Sequence, residues 1–241
     1  MDIITVSHLW KKFGDFAANK DLNFVVKRGE IFGFLGANGA GKTTAMKILC
    51  GLSKPTSGDV KLAGFDIYTQ TDEIKRTIGY MSQKFSLYED LTPVENMRFY
   101  GGIYGLLRNT IREKTQNAMQ ELDLEAVKNK PLSSLPLGWK QKLAFSIAMI
   151  HEPKVVFLDE PTGGVDPITR RQFWTMIYEA ASRGVTIFVT THYMDEAEYC
   201  DRVSIMVDGE IRALDTPAGL KLKYDADSMN EVFLKLARDE R

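Results

Sequence analysis

Gly36-Ala37-Asn38-Gly39-Ala40-Gly41-Lys42-Thr43-Thr44 fits the pattern G-x-x-x-x-G-K-[ST] without a mismatch, and its surroundings suit it. The apolar run 31–35 before it reads as a strand, and residues 42–50 after it read as a helix closed by Gly51. Glycines 36, 39 and 41 permit backbone turns that residues bearing a Cβ resist, so successive N–H groups converge on an anion. The positive end of the following helix adds to that field. In such a loop Lys42 reaches the terminal phosphates, and the Thr43 hydroxyl ligates Mg²⁺. Strand, loop and helix together imply a nucleotide-phosphate site on an α/β fold.

The rest of the composition sets bounds around that site. A chain of 241 residues accommodates one α/β domain with an insertion, or two small domains. Lys and Arg number 31 against 32 Asp and Glu, a net charge of −1, so the footprint of a general nucleic-acid binder is missing and no nucleic-acid partner is expected. The hydrophobic share of 44% is that of a globular protein. No charge-free stretch approaches the roughly 20 apolar residues that cross a bilayer. Met1-Asp2-Ile3-Ile4-Thr5-Val6 lacks the basic-then-apolar order of a secretory signal. Cys50 and Cys200 read as buried free thiols, and no Cys/His cluster has metal-ligand spacing. These features lead us to expect a cytosolic protein.

Organisation along the chain follows hydrophobic period. Residues 3–6 and 22–26 read as strands, with Leu22, Phe24 and Val26 alternating. Residues 58–63 and 77–81 read as further strands. From about 91 to 150 the pattern is helical: Thr92-Pro93-Val94-Glu95 has the form of a capping box, and helices are expected over 109–122 and 138–150. Strands resume at 155–158 and 185–190, separated by a helix over 167–182 that Gly184 ends. Residues 203–207 and 210–214 flank Asp208-Gly209 as a hairpin, and the tail from 216 is helical in composition.

Two strand ends carry further polar groups. After Lys154, residues 155–158 are apolar and run into Asp159-Glu160, placing two carboxylates where α/β proteins bind ligands. Asp159 suits a Mg²⁺ shell, and Glu160 suits a general base for an attacking water. Taken alone, the pair equally suits the cap of a following helix. Thr191-His192 follows the strand 185–190, where a γ-phosphate sensor is useful and where structural histidines are also common. Gln83, beyond the strand ending at Met81, is placed to contact Mg²⁺ or the water.

The order of these features along the whole chain resembles the ATP-binding-cassette (ABC) ATPases. That resemblance implies a P-loop NTPase (RecA-like) α/β core with an N-terminal antiparallel β subdomain and an inserted helical signature subdomain. It would form one domain over 1–241, with the core at about 1–83 and 151–241 and the insertion at about 84–150. It implies ATP with Mg²⁺, the nucleotide being cradled by Gly36, Ala37, Asn38, Gly39, Ala40, Gly41, Lys42, Thr43 and Thr44. Phe13, in Lys12-Phe13-Gly14, takes the place of the aromatic that stacks on adenine. Mg²⁺ falls to Thr43, Gln83 and Asp159, and the catalytic roles to Glu160, His192 and Gln83. Gln83 also couples the nucleotide to the membrane partner, and Asp166, within Thr162-Gly-Gly-Val-Asp-Pro167, lies in the loop that crosses the dimer interface. In the family, two cassettes associate head to tail, and each site borrows the partner's signature, usually L-S-G-G-Q.

Here that signature reads Leu135-Pro136-Leu137-Gly138-Trp139, so only Leu135 and Gly138 match. Pro136 replaces a serine whose hydroxyl would reach the γ-phosphate in trans, and it brings no N–H of its own. Two readings stand: a tolerated variant in a homodimer, or a weak signature working beside a second, different cassette. Phe85, Tyr88, Phe99, Tyr100 and Tyr104 occupy the region where the family receives a coupling helix, with one or two rings expected at the groove. The stretches 87–96, 160–167 and 230–236 resemble cassettes of multidrug and ABC-2-type exporters. That resemblance implies a transmembrane permease subunit as partner and a location on the inner face of the cell membrane. A soluble ABC-type ATPase that remodels a protein or nucleic-acid complex is the alternative; a phosphotransferase would leave His192 and the helical insertion unexplained.

Overall fold

The computed structural model describes residues 1–83 and 87–238. In chain order its elements are strands β1 (Asp2–Phe13), β2 (Phe16–Lys27) and β3 (Ile31–Gly36), then helix α1 (Lys42–Leu49). Next come β4 (Ser57–Leu62), β5 (Phe65–Asp66), α2 (Thr71–Thr77) and β6 (Ile78–Met81). Helices α3 (Pro93–Ile103), α4 (Arg108–Glu121) and α5 (Leu137–Met149) lie between β6 and β7 (Val155–Asp159). The chain continues through α6 (Pro167–Ser182), β8 (Thr186–Thr191), β9 (Arg202–Val207), β10 (Glu210–Asp215), α7 (Pro217–Lys223) and α8 (Met229–Arg238).

Two sheets carry the strands. One is antiparallel, in the order β2-β1-β4-β5; the other runs β10-β9-β3-β8-β7-β6 and is parallel except where β10 joins β9. Strands β3, β7 and β8 are buried at every position, which is why their apolar residues run together rather than alternating with polar ones. Their side chains still alternate between faces. Phe32 and Phe34 join Phe24, Phe157 and Phe188 in a ring cluster under the antiparallel sheet, with Phe34 and Phe188 centroids 5.2 Å apart. Ile31 and Leu35 face the opposite core, shared with α5, α6 and α8.

The expected elements form at nearly the expected positions. The capping box at Thr92 closes in both directions, Thr92 Oγ1 accepting from Glu95 N and Glu95 accepting from Thr92 N. The first two strands run longer than alternation suggested, because β1 and β2 slip register repeatedly and each slip breaks the period. Helix α2 lacks an apolar stripe and buries only Ile74, so its sequence gave little signal. Both cysteines are free and buried, and no helix among the described residues is long and apolar enough to cross a membrane.

One backbone contact fixes the helical segment against the sheet. At Gly79 in β6, an added Cβ would strike the carbonyl of Ala148 near the end of α5. A methyl there must push the helix off the strand, whereas at Gly102 in α3 the same methyl meets nothing within 4 Å. We expect Gly79→Ala to destabilise the fold by about 1–3 kcal/mol as an overpacked site. Gly102→Ala should stabilise it by roughly 0.5–1 kcal/mol through helix propensity. Thermal denaturation of the two variants checks both signs, and equal melting temperatures would refute the close approach.

Candidate functional site: a phosphate loop facing two carboxylates

The loop after β3 wraps the Lys42 side chain. Lys42 Nζ donates to Gly36 O at 2.8 Å and Ala37 O at 3.0 Å, and lies 3.6 Å from Glu160 Oε1. The ammonium is buried at 4% exposure, so desolvation pushes its pKa down while the Glu160 charge beside it pushes back up. Gly39 and Gly41 hold positive φ of 84° and 100°. At Gly41, the residue capping α1, a Cβ would strike Ala18 O and come within 2.7 Å of Asn19 Nδ2. Asn19 Nδ2 in turn donates to Gly41 O at 3.1 Å, so β2 clamps the end of the loop. Gly209 N, in the β9–β10 turn, donates to Ala40 O at 3.2 Å and steadies the loop from the other side. Neither Asn19 nor Gly209 was singled out for this from the sequence, since a lone Asn in a strand carries no pattern.

Asp159 and Glu160 end β7 and turn different ways. Asp159 is 1% exposed, and its Oδ1 accepts from Thr190 Oγ1 at 2.6 Å and Thr43 Oγ1 at 3.2 Å. Burial raises its pKa, and those two hydroxyls oppose the rise. Glu160 has a left-handed φ of 50°, and its N–H donates to both O and Oγ1 of Thr190 at 3.1 Å. That backbone swings its side chain toward the loop, where Oε2 accepts from Gln83 Nε2 at 2.8 Å and meets His192 Nδ1 at 3.0 Å. Lys42, Thr43, Gln83, Asp159, Glu160 and His192 therefore converge within one cluster. Thr43 Oγ1 and Asp159 Oδ1, 3.2 Å apart, are hard oxygen donors of the kind Mg²⁺ takes when phosphate and water complete its shell, and Gln83, held beside them by Glu160, has an amide oxygen to add. Among the described residues no group of three or more His, Cys, Asp or Glu could hold a metal alone.

A cleft of ≈ 270 Å³ opens over this cluster, bordered by Phe16, Ala18, Asn38, Gly39, Thr44 and Gln83. It is small for a whole nucleotide, so phosphates would fit inside with a base against its rim. Phe16, 65% exposed, is on that rim. Phe13, its cross-strand partner in the β1–β2 hairpin, is 56% exposed and has Lys11 Nζ 4.7 Å from its ring centroid. A larger cleft of ≈ 1000 Å³ between α4, α5 and α6, lined by Met97, Lys114, Phe145 and Met176 among others, shares no residue with the phosphate loop.

The four residues expected to act in trans lie apart from the cleft. Leu135 is buried and Pro136 is the N-cap of α5, with no side-chain cap bond. Gly138 packs on α6, where a Cβ would come within 2.5 Å of Thr169 Cγ2. Asp166 caps α6, accepting from Ile168 N at 2.9 Å, Thr169 N at 3.0 Å and Thr169 Oγ1 at 2.5 Å. Of the aromatic group, Tyr88 and Phe99 are exposed and packed edge to face at 4.8 Å, while Tyr100 and Tyr104 are half-buried. Phe85 lies outside the described residues.

Known proteins share this arrangement. The ABC transporter family profile matches residues 19–163. The chain is 47% identical over 242 residues to the probable multidrug ABC transporter ATP-binding protein YbhF of Escherichia coli (strain K12), covering 98% of this chain and 42% of that protein. It thus spans less than half the length of this curated relative. Among solved structures, the ATP-binding subunit of an ABC transporter superposes with a TM-score of 0.88 at 27% identity, covering 98% of this chain and 100% of the other. The ATP-binding cassette MJ0796, in a dimeric post-hydrolysis state bound to ADP and Pi, gives a TM-score of 0.80 at 26% identity, covering 88% and 98%. The matched profile runs from the clamp at Asn19 through the phosphate loop to Glu160 and the turn beyond it, and on that basis the chain belongs to the ABC transporter family.

Proposed function

We propose that this chain is an ATP-hydrolysing cassette that powers export through a separate transmembrane permease. The observation that carries the reading is the Glu160 carboxylate, held by Gln83 at 2.8 Å and His192 at 3.0 Å with the Lys42 ammonium at 3.6 Å. A γ-phosphate in the loop would draw Lys42 onto its oxygens and release Glu160 Oε1 from that cation. Water placed between Glu160 and the γ-phosphorus loses its proton to the carboxylate as its oxygen forms the new P–O bond. The bond from γ-phosphorus to the bridging oxygen breaks, and ADP leaves with that oxygen. Gln83 and His192 orient the water and sense the γ-phosphate. Thr43, Asp159 and Gln83 would hold Mg²⁺, which neutralises developing charge on the phosphates. Adenine stacking falls to the exposed rings of the β1–β2 hairpin, Phe13 by the family resemblance together with its cross-strand partner Phe16, which borders the cleft while Phe13 does not.

The 241 residues form one cassette in this reading. Likeness to YbhF, a probable multidrug ABC transporter ATP-binding protein, and to the dimeric MJ0796 supports export and a paired arrangement. The pair sandwiches each ATP between one phosphate loop and the partner's Leu135, Pro136, Gly138 and Asp166. The exposed Tyr88 and Phe99, joined by Ile103 at 63% and Leu107 at 77% exposure, give the permease an apolar surface to hold. That contact would place the cassette on the cytoplasmic face of the membrane.

Glu160→Gln should bind ATP yet turn over about a hundredfold or more slowly, the scale of a lost general base. Near-normal turnover would remove Glu160 from that role. The same variant should dimerise in MgATP by solution mass; a persistent monomer would indicate a second cassette of different sequence as the natural partner. Pro136→Ser restores a hydroxyl at the start of α5, and about 1.5–3 kcal/mol from a hydrogen bond to charged phosphate should raise turnover roughly tenfold or more. Unchanged turnover would mean that the α5 amides already suffice.

A further inference from the structure

Glu196 is fully buried, and the reaction above gives it no task. It lies in the 3₁₀ segment Met194–Tyr199 that follows His192. Its Oε1 accepts a hydrogen bond from the hydroxyl of Thr162, itself buried two residues after Glu160. Arg170, near the start of α6, brings Nε to 3.6 Å from the same Oε1 and Nη1 to 3.4 Å from Asp195 Oδ2. The guanidinium also lies over Tyr193, 4.4 Å from the ring centroid, and the Tyr193 and His192 centroids are 4.1 Å apart. Contacts thus run without a break from His192 through Tyr193, Arg170 and Glu196 to Thr162. The next residue, Gly163, accepts from Gln141 Nε2 of α5 at 3.1 Å, which extends the connection to the signature helix.

The centre of this chain is left one bond short. Neither Arg170 Nε nor Glu196 Oε2 has a hydrogen-bond partner among the described residues, although both are buried. The separation of 3.6 Å between Arg170 Nε and Glu196 Oε1 exceeds hydrogen-bond length by only a few tenths of an ångström. Closing that gap gives Arg170 Nε its acceptor, and a turn of the carboxylate that swings Oε2 toward the guanidinium is needed to satisfy the second atom; buried polar atoms without partners are uncommon and costly, which favours such a rearrangement. The parts free to make it are those the pair touches: the Thr162 turn on one side, and the Tyr193–His192 rings on the other.

We propose that Glu196 and Arg170 are positioning residues, a latch that registers His192 with the Thr162–Pro167 loop and closes its open bond when bound ATP draws His192 toward the γ-phosphate. The proposal rests on ATP hydrolysis at Glu160. Neither residue touches the nucleotide; both act through the rings and the turn that they hold.

Single-turnover ATP hydrolysis by the full chain, in excess over nucleotide, tests the latch when ATP affinity is titrated in parallel. Glu196→Gln keeps an acceptor for Thr162 and removes the charge facing Arg170. Arg170→Ala removes the cation and the cover on Tyr193, and Arg170→Lys keeps only the charge. We expect Glu196→Gln and Arg170→Ala each to slow hydrolysis about tenfold, with ATP affinity within about twofold, and the double variant to be no slower than the worse single one. Arg170→Lys should recover only part of the rate, because an ammonium cannot cover the ring as the planar guanidinium does. Losses that multiply in the double variant, affinity lost with hydrolysis unchanged, or full rates throughout would each overturn the latch. Thermal unfolding of every variant guards against misfolding, and Arg170→Ala keeps the test alive if the buried Glu196 tolerates no change. Normal hydrolysis by Glu160→Gln would instead overturn the reading of the site; an inactive Glu160→Gln beside fully active Arg170 and Glu196 variants overturns the latch alone.

Discussion

One buried cation between two buried carboxylates sets the terms for everything around it. Lys42, Asp159 and Glu160 lie at the carboxyl edge of the parallel sheet, where isolated charges would each cost several kcal/mol to bury. The arrangement survives because each charge is answered: Lys42 by Glu160 and two loop carbonyls, Asp159 by two hydroxyls, Glu160 by Gln83 and His192. The loop has to stay wrapped around the lysine for this to hold, which explains why β2 and the β9–β10 turn press on it. A triphosphate entering the loop exchanges partners within that set. In the proposed reaction it would take the lysine from Glu160 and leave a carboxylate free to accept a proton, so the same electrostatics that stabilise the loop would prepare it for a triphosphate.

Backbone geometry then decides which carboxylate does what. Two adjacent residues of a regular strand point to opposite faces, and Asp159 and Glu160 would diverge. The left-handed φ at Glu160 ends the strand and redirects the second carboxylate toward the loop, at a cost of about 1–3 kcal/mol for a residue that is not glycine. Thr190 stabilises that turn twice over. Its backbone oxygen and hydroxyl both accept from Glu160 N, while the hydroxyl hydrogen goes to Asp159. A single threonine on β8 thereby fixes the relative aim of the residue suited to metal and the residue suited to water.

What was legible in the sequence followed from local pattern. The phosphate loop is contiguous, the carboxylates and His192 sit at the ends of apolar runs, and the cap at Thr92 and the helix start at Pro167 are written in neighbouring residues. Contacts between distant residues were not legible. Asn19 on Gly41, Gly79 against Ala148, and Arg170 with Glu196 join positions far apart in the chain by single side chains or bare backbone, and neither leaves a period to read. Asp166 shows the limit from the other direction. Its place before Pro167 marks a helix start, and its carboxylate is committed to three donors of α6, a local duty that the resemblance alone did not bring forward.

The same distinction bears on the altered signature. Gly138 is one of two positions there that match the family pattern, yet packing within the chain demands it, since a Cβ would press on Thr169. Leu135, the other, is a core residue. Both matches therefore answer to the fold of this chain before they answer to any nucleotide on another. Pro136 is different: it occupies the N-cap with φ −56° and ψ 147°, angles open to many residues, and no side-chain bond holds it there. The first amides of α5 have no intrahelical acceptors whichever residue precedes them. An anion approaching this face would thus meet backbone N–H groups and the helix dipole, with the family's hydroxyl replaced by a ring that offers no donor. Substitution at 136 changes what the chain presents across an interface while leaving its own core and phosphate loop untouched, so the strength of this face can vary independently of the site it is built beside.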